Sequence, residues 1–338
     1  MSGKPIPFRE AASLLDDEVR AGLAELEGRV TDPGAFAPVT AEDLLRRAFP
    51  PRELLLSPFL TKKSLTMVYA RRGAGKTWLA EAAALSVAAA GTLFEARPNG
   101  PAWAAPSPRS VLLVDGEMPG SMIRDRLALL IAGRLYEPAR RLRVLAADLF
   151  EEPLPSISTP EGRAVVEAHL GDAELVIFDN ISTLFRGLDE NDAGEWEPVQ
   201  DFLLALRRRG LAVLLVHHGG KNGAQRGTSK REDVLDTVVS LRLPDDHDPD
   251  EGARVHVVFE KARGLAGRDV ESFEARLEVT KTGALWRAAS IVDPDDEEIL
   301  KLHRAGKSQR EIARKVGRDQ ANVSRRLRKL VPRAGGDA

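Results

Sequence analysis

The sequence predicts an α/β fold with a mostly parallel sheet, followed by a small all-α domain. From residue 64 onward, apolar runs of five or six residues alternate with helical patterns, and a glycine-rich loop joins the first run to a helix. The chain then ends in a basic segment with three short helical patterns. Continuous apolar runs are typical of strands buried on both faces, and their alternation with helices favours a doubly wound parallel sheet.

The composition is that of a soluble protein with a sizeable core. Of 338 residues, 43% are hydrophobic and 30% are charged. No stretch approaches the ~18 apolar residues of a membrane helix, and acids near the N-terminus disfavour a signal peptide. The absence of cysteine excludes disulfides and thiolate metal sites. We therefore expect a cytoplasmic protein that makes no membrane contact.

The composition changes along the chain predict four segments. They are an N-terminal helical segment for oligomerisation or partner contact (1–63, with helices at 9–28 and 41–48), the α/β domain (64–291), an acidic linker (292–299) and a helix-turn-helix domain (300–333).

Each predicted strand is a short apolar run. The strands lie at residues 65–69, 110–115, 142–145, 175–179, 212–217, 234–241, 255–259 and 275–279. Helical patterns separate the early strands and lie at residues 77–90, 121–135, 160–169 and 195–209. Since no helix separates the later strands, we expect them to extend the sheet in antiparallel fashion at one edge.

The loop after the first strand predicts a phosphate-binding site. Residues 70–77 fit the pattern G-x-x-x-x-G-K-[ST], except that Ala70 takes the place of the first glycine. Small residues let backbone N–H groups surround phosphates, Lys76 reaches the β- and γ-phosphates, and the Thr77 hydroxyl binds Mg²⁺. The residues predicted to contact the nucleotide are Arg72, Gly73, Ala74, Gly75, Lys76, Thr77 and Trp78.

Carboxylates follow two further strands. Asp179 ends an apolar run, and at the end of a neighbouring parallel strand it would lie where it can hold Mg²⁺ through water. Because Asn180 and not an acid follows it, the carboxylate that orients the attacking water must come from elsewhere. Glu117, just past another strand, is the candidate, whereas Asp115 is better suited to a structural role at the strand end.

Other polar residues follow the later strands. Alternation sends His217 and His218 to opposite faces, so at most one can hydrogen-bond to the γ-phosphate, and without cysteine the pair does not suggest zinc. Lys261 and Arg263 could reach the γ-phosphate of an adjacent subunit as arginine fingers. Arg226 lies in a basic, glycine-rich loop that could contact nucleic acid. For these loops a solvated surface role stays an open alternative.

The tail is strongly basic although the whole chain has a net charge of −2. Between Lys301 and Arg333, twelve lysines and arginines accompany only two acids, so this stretch has a charge of about +10. Ser308 with Glu311 predicts a capping box, and Gly317 a turn, in helix-turn-helix spacing. The residues expected to contact DNA here are Lys307, Gln320, Asn322, Ser324, Arg325 and Arg326. A three-helix protein-interaction module is the alternative.

In combination, five segments resemble the RecA-like AAA ATPases grouped with the plasmid replicative helicase RepA. They are SLTMVYARRGAGKT, VLLVDGEMPG, LVIFDNIS, VLLVHH and RGTSKREDVLDTV, and the resemblance covers residues 55–264. It implies a RecA-like P-loop ATPase that forms a hexameric ring, with ATP and Mg²⁺ at subunit interfaces and single-stranded DNA in a central channel. By matching position, the resemblance makes Lys76 and Thr77 the phosphate-loop pair, Glu117 the catalytic glutamate, Asp179 the magnesium carboxylate and His218 the γ-phosphate sensor.

The resemblance and the basic tail together predict an ATP-driven DNA motor. The leading hypothesis is a helicase for replication of a mobile element, docked on duplex DNA by its tail, which RepA itself lacks. An ATP-gated DNA-binding regulator and a recombinase-like ATPase that coats single strands remain open as alternatives.

Overall fold

The first of the two units into which the chain divides, Met1–Pro51, is described only in part. The computed structural model describes residues 37–49, 51–95, 97–134, 136, 140–188, 194–220, 230–291 and 294–331. Helix α1, Ala41–Arg46, lies within the predicted helix at 41–48, and the Thr40 hydroxyl caps it by accepting from the backbone N–H of Asp43. The predicted helix at 9–28 lies outside the described residues.

The second unit, Arg52–Ala338, contains every other described element. Its strands are β1 (Leu54–Leu56), β2 (Leu60–Thr61), β3 (Leu65–Ala70), β4 (Thr92–Phe94), β5 (Trp103–Ala104), β6 (Val111–Asp115), β7 (Leu142–Ala146), β8 (Leu175–Asp179), β9 (Ala212–His218), β10 (Thr237–Arg242), β11 (Arg254–Ala262), β12 (Phe273–Thr280) and β13 (Gly283–Ala289). Its helices are α2 (Lys76–Ala89), α3 (Gly120–Arg134), α4 (Pro160–His169), α5 (Ile181–Leu184), α6 (Glu197–Arg208), α7 (Lys230–Asp233), α8 (Pro294–Arg304), α9 (Gln309–Val316) and α10 (Gln320–Leu330). Within the described residues, none of these helices is long and apolar enough to cross a bilayer.

Nine strands form one sheet in the order β13-β12-β11-β10-β3-β9-β8-β6-β7. The steps from β10 to β7 are parallel, and those from β10 to β13 are antiparallel. This confirms the predicted RecA-like α/β fold and its antiparallel edge. One detail differs: β9 lies between β3 and β8, so Asp179 follows the next strand but one from the phosphate loop and not its immediate neighbour.

Both faces of the parallel sheet are buried, which explains its continuous apolar runs. Along β3, Val68 belongs to the core cluster that contains α2, whereas Met67 belongs to the cluster that contains α4 and α6. All six residues of β3 and all five of β6 and β8 are buried. Strands with this pattern lie at the centre of the sheet, and their carboxyl ends share one edge.

The start of the α/β domain differs from the prediction. Leu55, Leu56 and Leu60, expected within an N-terminal helical segment, are buried in the core that also contains α2. Phe59 packs against Trp103 with ring centroids 4.6 Å apart. Strands of two or three residues are too short for a pattern to reveal, so β1, β2, β4 and β5 were not predicted. The seven-residue strand β13 was not predicted either.

The three C-terminal helices enclose a small core of their own. This core consists of Ile299, Leu302, Ile312, Ala313, Val323 and Leu327. The predicted capping box is present, since Ser308 and Glu311 exchange side-chain-to-backbone hydrogen bonds. The predicted linker at 292–299 is mostly helix, because α8 begins at Pro294. Acids are favourable near a helix N-terminus, so an acidic stretch there need not be a linker.

We expect Gly133→Ala to destabilise the second unit, although alanine is the better helix former. A Cβ at residue 133 of α3 would lie 2.2 Å from the carbonyl oxygen of Ala284 on β13, a backbone atom that cannot move alone. The free energy of unfolding, measured with a chemical denaturant, should fall by roughly 1–3 kcal/mol. Helix propensity alone would raise it by about 0.5–1 kcal/mol, so a stabilised variant would contradict this close packing.

Candidate functional site

The loop between β3 and α2 has the conformation of a phosphate-binding loop. Gly73 and Gly75 have φ angles of +80° and +86°, which side chains disfavour. Helix α2 begins at Lys76 without a side-chain cap, so its first backbone N–H groups are available to an anion. Of the seven residues predicted to contact nucleotide, six line one cleft; Ala74 is fully buried and does not.

Ala70, which replaces the first glycine of the pattern, is compatible with this geometry. It is still part of β3, where it pairs with His218 on β9 and Leu241 on β10. It is not among the residues with positive φ, and it is 2% exposed. A methyl group is therefore tolerated at this position, and the loop begins only after it.

Lys76 lies between the loop and the carboxylates. Its Nζ donates hydrogen bonds to the carbonyl oxygens of Ala70, at 3.2 Å, and Arg71, at 3.0 Å. Burial lowers the pKa of Lys76, and the nearby Asp179 and Glu117 act in the opposite direction. The ammonium group is thus in the place where a triphosphate would lie against α2.

Asp179 is the residue best placed to help hold Mg²⁺. It is 2% exposed, and within the described residues its Oδ2 is buried without a hydrogen-bond partner. Burial and, next, the neighbouring Asp115 raise its pKa to about 7, and a hydrogen bond from Thr77 lowers it. A divalent cation would offset both the cost of burying the Asp179 carboxylate and its repulsion by Asp115. The oxygen donors of Thr77 and Asp179 fit a hard cation of this kind.

Glu117 is held at the same edge by groups from three strands. Oδ1 of Asp115 accepts from the backbone N–H groups of Glu117, at 2.9 Å, and Met118, at 2.7 Å. Oε2 of Glu117 accepts from the side-chain amide of Asn180 and lies 3.5 Å from Nε2 of His218. Asp115 therefore shapes the turn, in agreement with the structural role expected of it.

Of the two adjacent histidines, only His218 lines the cleft. His217 is fully buried, as the alternation along β9 predicts. Burial lowers the pKa of His218, followed by the positive charge of Lys76, whereas Glu117 raises it. His218 is consequently a neutral imidazole at pH 7, able to donate one hydrogen bond into the cleft.

The cleft has a volume of about 880 Å³ and extends well beyond the phosphate loop. Its far wall comes from the antiparallel edge of the sheet, through Leu243, His247, Pro249, Asp250, Glu251, Gly252, Ala253, Leu277 and Val279. Trp78 lies between the two ends, with the guanidinium of Arg126 positioned 4.8 Å from its ring centroid. This volume is sufficient for a nucleotide.

Glu81, a buried acid behind the cleft, is not among the site residues predicted from the sequence. It lies on α2, is 1% exposed, and within the described residues neither of its carboxyl oxygens has a hydrogen-bond partner. Burial raises its pKa to about 8; Arg126 opposes this shift, and Asp179 and Asp115 add to it. The signal was present, because Glu81 is the single acid in the otherwise alanine- and leucine-rich helix α2.

Two predicted basic residues lie elsewhere. Arg263 follows β11, is exposed, and donates a hydrogen bond to the carbonyl oxygen of Asp233 at 2.9 Å; it does not line the cleft. The neighbouring Lys261 donates to the carbonyl oxygen of Glu232. Arg226 lies outside the described residues. Any contribution of Arg263 to an ATP site would therefore be to that of another copy.

The C-terminal residues expected to contact DNA differ in exposure. Lys307, Gln320 and Arg325 are exposed, and Asn322 and Ser324 are half-buried. The exposed residues on α10 leave a polar surface next to the turn at Gly317.

At Arg326 the structure differs from the predicted DNA contact, because this side chain pairs with acids of its own domain. Its side chain is 21% exposed, and its guanidinium lies 3.1 Å from Asp296 and 3.8 Å from Asp295, both on α8. A cation neutralised in this way joins α10 to α8. It is therefore removed from the set of residues that face DNA.

Comparison with known proteins gives two family matches. A model described as an AAA domain matches residues 31–224, more than half of the chain. A model described as a helix-turn-helix domain matches residues 294–330, which agrees with the start of α8. No curated protein matches the chain.

Solved structures with similar folds include two at low sequence identity. A KaiC-like protein from the hyperthermophilic archaeon Pyrococcus horikoshii OT3 has 14% identity and a TM-score of 0.47, covering 69% of this chain and 93% of its own. The RadB recombinase has 19% identity and a TM-score of 0.44, covering 67% of this chain and 91% of its own.

We expect Glu81→Gln to flatten the pH dependence of stability. Between the ordinary glutamate pKa of 4.5 and the folded value of about 8, the folded protein keeps a proton that the unfolded chain has released. The free energy of unfolding therefore falls as pH rises through this window. Between pH 5 and pH 8, the free energy of unfolding of the variant should rise relative to that of the wild type by on the order of 3 kcal/mol. Denaturant melts at several pH values measure this, and parallel curves for the two proteins would refute it.

Proposed function

The chain belongs to the AAA domain family, and on this premise we propose that it is a DNA motor driven by ATP hydrolysis. In this proposal it works as a hexameric helicase, which the C-terminal helix-turn-helix domain docks on duplex DNA. The observation that best supports hydrolysis is that Lys76, Asp179 and Glu117 meet in one cleft with the first turn of α2. Three elements far apart in sequence supply an anion site, a cation ligand and a base.

In the proposed reaction each group has a separate task. Lys76 and the N-terminus of α2 neutralise the negative charge that develops on the phosphates. Thr77 and Asp179 would hold Mg²⁺, which supplies additional positive charge at the β- and γ-phosphates. Glu117 orients the attacking water and accepts its proton.

His218 is proposed to report whether the γ-phosphate is present. It is neutral, half-buried and 3.5 Å from Glu117, so a γ-phosphate oxygen could accept its N–H hydrogen bond. Loss of the phosphate after hydrolysis would release this contact. Because His218 ends β9, its movement could reach the basic loop at 219–227, which we expect to contact single-stranded DNA through Arg226.

The hexamer is supported by the position of Arg263. Its side chain is exposed and lies outside the cleft of its own copy, which suits a residue that reaches the γ-phosphate of an adjacent subunit. The cleft itself contains Arg72 and Arg126 as well as Lys76, cations that can pair with the phosphates.

The C-terminal domain is proposed to bind duplex DNA through α10. Its matched family, the charge of the tail and the exposed Gln320 and Arg325 support this. Lys307 directly precedes Ser308, the N-cap of α9, and is proposed to contact phosphates. Asn322 and Ser324 are the remaining candidates for contact with base edges.

A strand-displacement assay separates the motor from its alternatives. Unwinding of a forked duplex with ATP supports the helicase. Sequence-specific binding to duplex DNA without unwinding would instead indicate an ATP-gated regulator. Filaments on single-stranded DNA in electron micrographs, in place of closed rings, would indicate a recombinase-like ATPase.

We expect Lys76→Ala and Glu117→Gln to separate binding from hydrolysis. Lys76→Ala should lose ATP binding and hydrolysis together, because the main cation at the phosphates is removed. Glu117→Gln should bind ATP as the wild type does and hydrolyse it 10²- to 10⁴-fold more slowly, because an amide accepts no proton. Phosphate release and nucleotide binding measure the two steps, and full activity in Glu117→Gln would exclude Glu117 as the base.

Arg325 and Arg326, adjacent on α10, form a matched pair for DNA binding. Arg325→Ala should weaken binding to duplex DNA and reduce the slope of log K against log salt by about 1, without loss of stability. Arg326→Ala should instead lower the stability of the domain by roughly 1 kcal/mol, because Asp296 loses the guanidinium that lies 3.1 Å from it, whereas Asp295 keeps Arg318. Fluorescence anisotropy over a salt series and thermal melts distinguish them; equal effects would contradict the assignment.

A further inference from the structure

Glu117 needs external contacts to keep one orientation. It follows β6 in a turn, and its side chain is 52% exposed. A glutamate side chain has several rotatable bonds, and an exposed one samples many positions. Activation of water requires a carboxylate within hydrogen-bond reach of a defined point, so the groups that fix Glu117 affect the rate.

The contacts of Glu117 converge on one of its two oxygens. Oε2 accepts from the amide of Asn180 and lies 3.5 Å from Nε2 of His218. Within the described residues, Oε1 takes part in no hydrogen bond, and it therefore remains open to water. Of the two groups, His218 is the one proposed to hydrogen-bond to the γ-phosphate in place of Glu117. Asn180 therefore remains the constant support of Glu117.

The amide of Asn180 is itself held in one orientation. The residue is fully buried and caps α5, its Oδ1 accepting from the backbone N–H of Thr183 at 3.3 Å. The hydroxyl of Thr183 returns a hydrogen bond to the carbonyl oxygen of Asn180 at 3.1 Å. Because the cap requires the amide oxygen on one side, the amide NH₂ points to the other, towards Glu117.

We propose that Asn180 is a positioning residue that fixes the carboxylate of Glu117 for hydrolysis. The proposal rests on the function proposed above. A neutral amide suits this role, because a cation would stabilise the ionised carboxylate and weaken it as a base. Asn180 also follows Asp179 directly, so the residue that positions the base is the chain neighbour of the cation ligand.

The first test replaces the donor and keeps the cap. Asn180→Ser retains an N-cap hydroxyl but lacks a group that can reach Glu117, and Asn180→Asp keeps the volume with an acceptor in place of the donor. We expect kcat for ATP to fall roughly 10- to 100-fold in both, while the Kd for a non-hydrolysable ATP analogue stays within about 3-fold. Thr183→Val, which removes the hydroxyl of Thr183 but keeps its backbone N–H as the donor to Oδ1 of Asn180, should keep the wild-type kcat.

The second test combines each variant with Glu117→Gln in single-turnover experiments. If Asn180 acts through Glu117, adding Asn180→Ser to Glu117→Gln should lower the single-turnover rate by less than about 2-fold. An equal loss in both backgrounds, or a wild-type kcat in Asn180→Ser, would overturn the positioning role. Should Asn180→Ser not fold in thermal melts, Asn180→Asp decides by the same criteria. A wild type that does not hydrolyse ATP would overturn the proposed function as well, whereas active wild type with unaffected variants overturns this proposal alone.

Discussion

At Gly75 the phosphate loop touches the antiparallel edge of the sheet. A Cβ there would lie 2.7 Å from that of Ala253 and 3.3 Å from the ring of Trp286, and the indole N–H of Trp286 donates to the carbonyl oxygen of Trp78 at 3.4 Å. The phosphate loop thus packs on the antiparallel half of the sheet at a residue that must be glycine for both backbone and space. The cleft is bounded by both halves, which are joined through β10, the strand that pairs with β3 on one side and with β11 on the other.

The cleft also concentrates negative charge in a way that costs stability. Asp115 and Asp179 lie side by side in the parallel register of β6 and β8, and Glu81 lies behind them. The pKa of each of these groups is raised by burial, which means that each ionised form is unfavourable in the folded protein. The positive charges of Lys76 and Arg126 offset only part of this cost of ionising the buried acids. Such an arrangement is expected where a bound cation completes the charge balance.

The sequence was most informative where one strong signal coincided with a long pattern. That the phosphate loop, Asp179 and Glu117 lie together could be predicted because strand ends of a parallel sheet share an edge. The long helices could be predicted because their patterns repeat over several turns. Pairing order was not accessible: nothing in a local pattern puts β9 between β3 and β8. Glu81 and the amide of Asn180 were missed since their importance comes from burial and contact, which only the fold creates.

The pairing of Arg326 with Asp295 and Asp296 changes what can be regarded as the C-terminal module. Composition places its start near residue 300, where the acidic stretch ends. A piece cut there would separate Arg326 from Asp295 and Asp296 and would lose Ile299 from the small core. The acidic stretch is therefore part of the C-terminal module, where its side chains pair with a basic residue of the tail. The smallest portable piece therefore includes the acids that pair with Arg326, and it begins at Pro294.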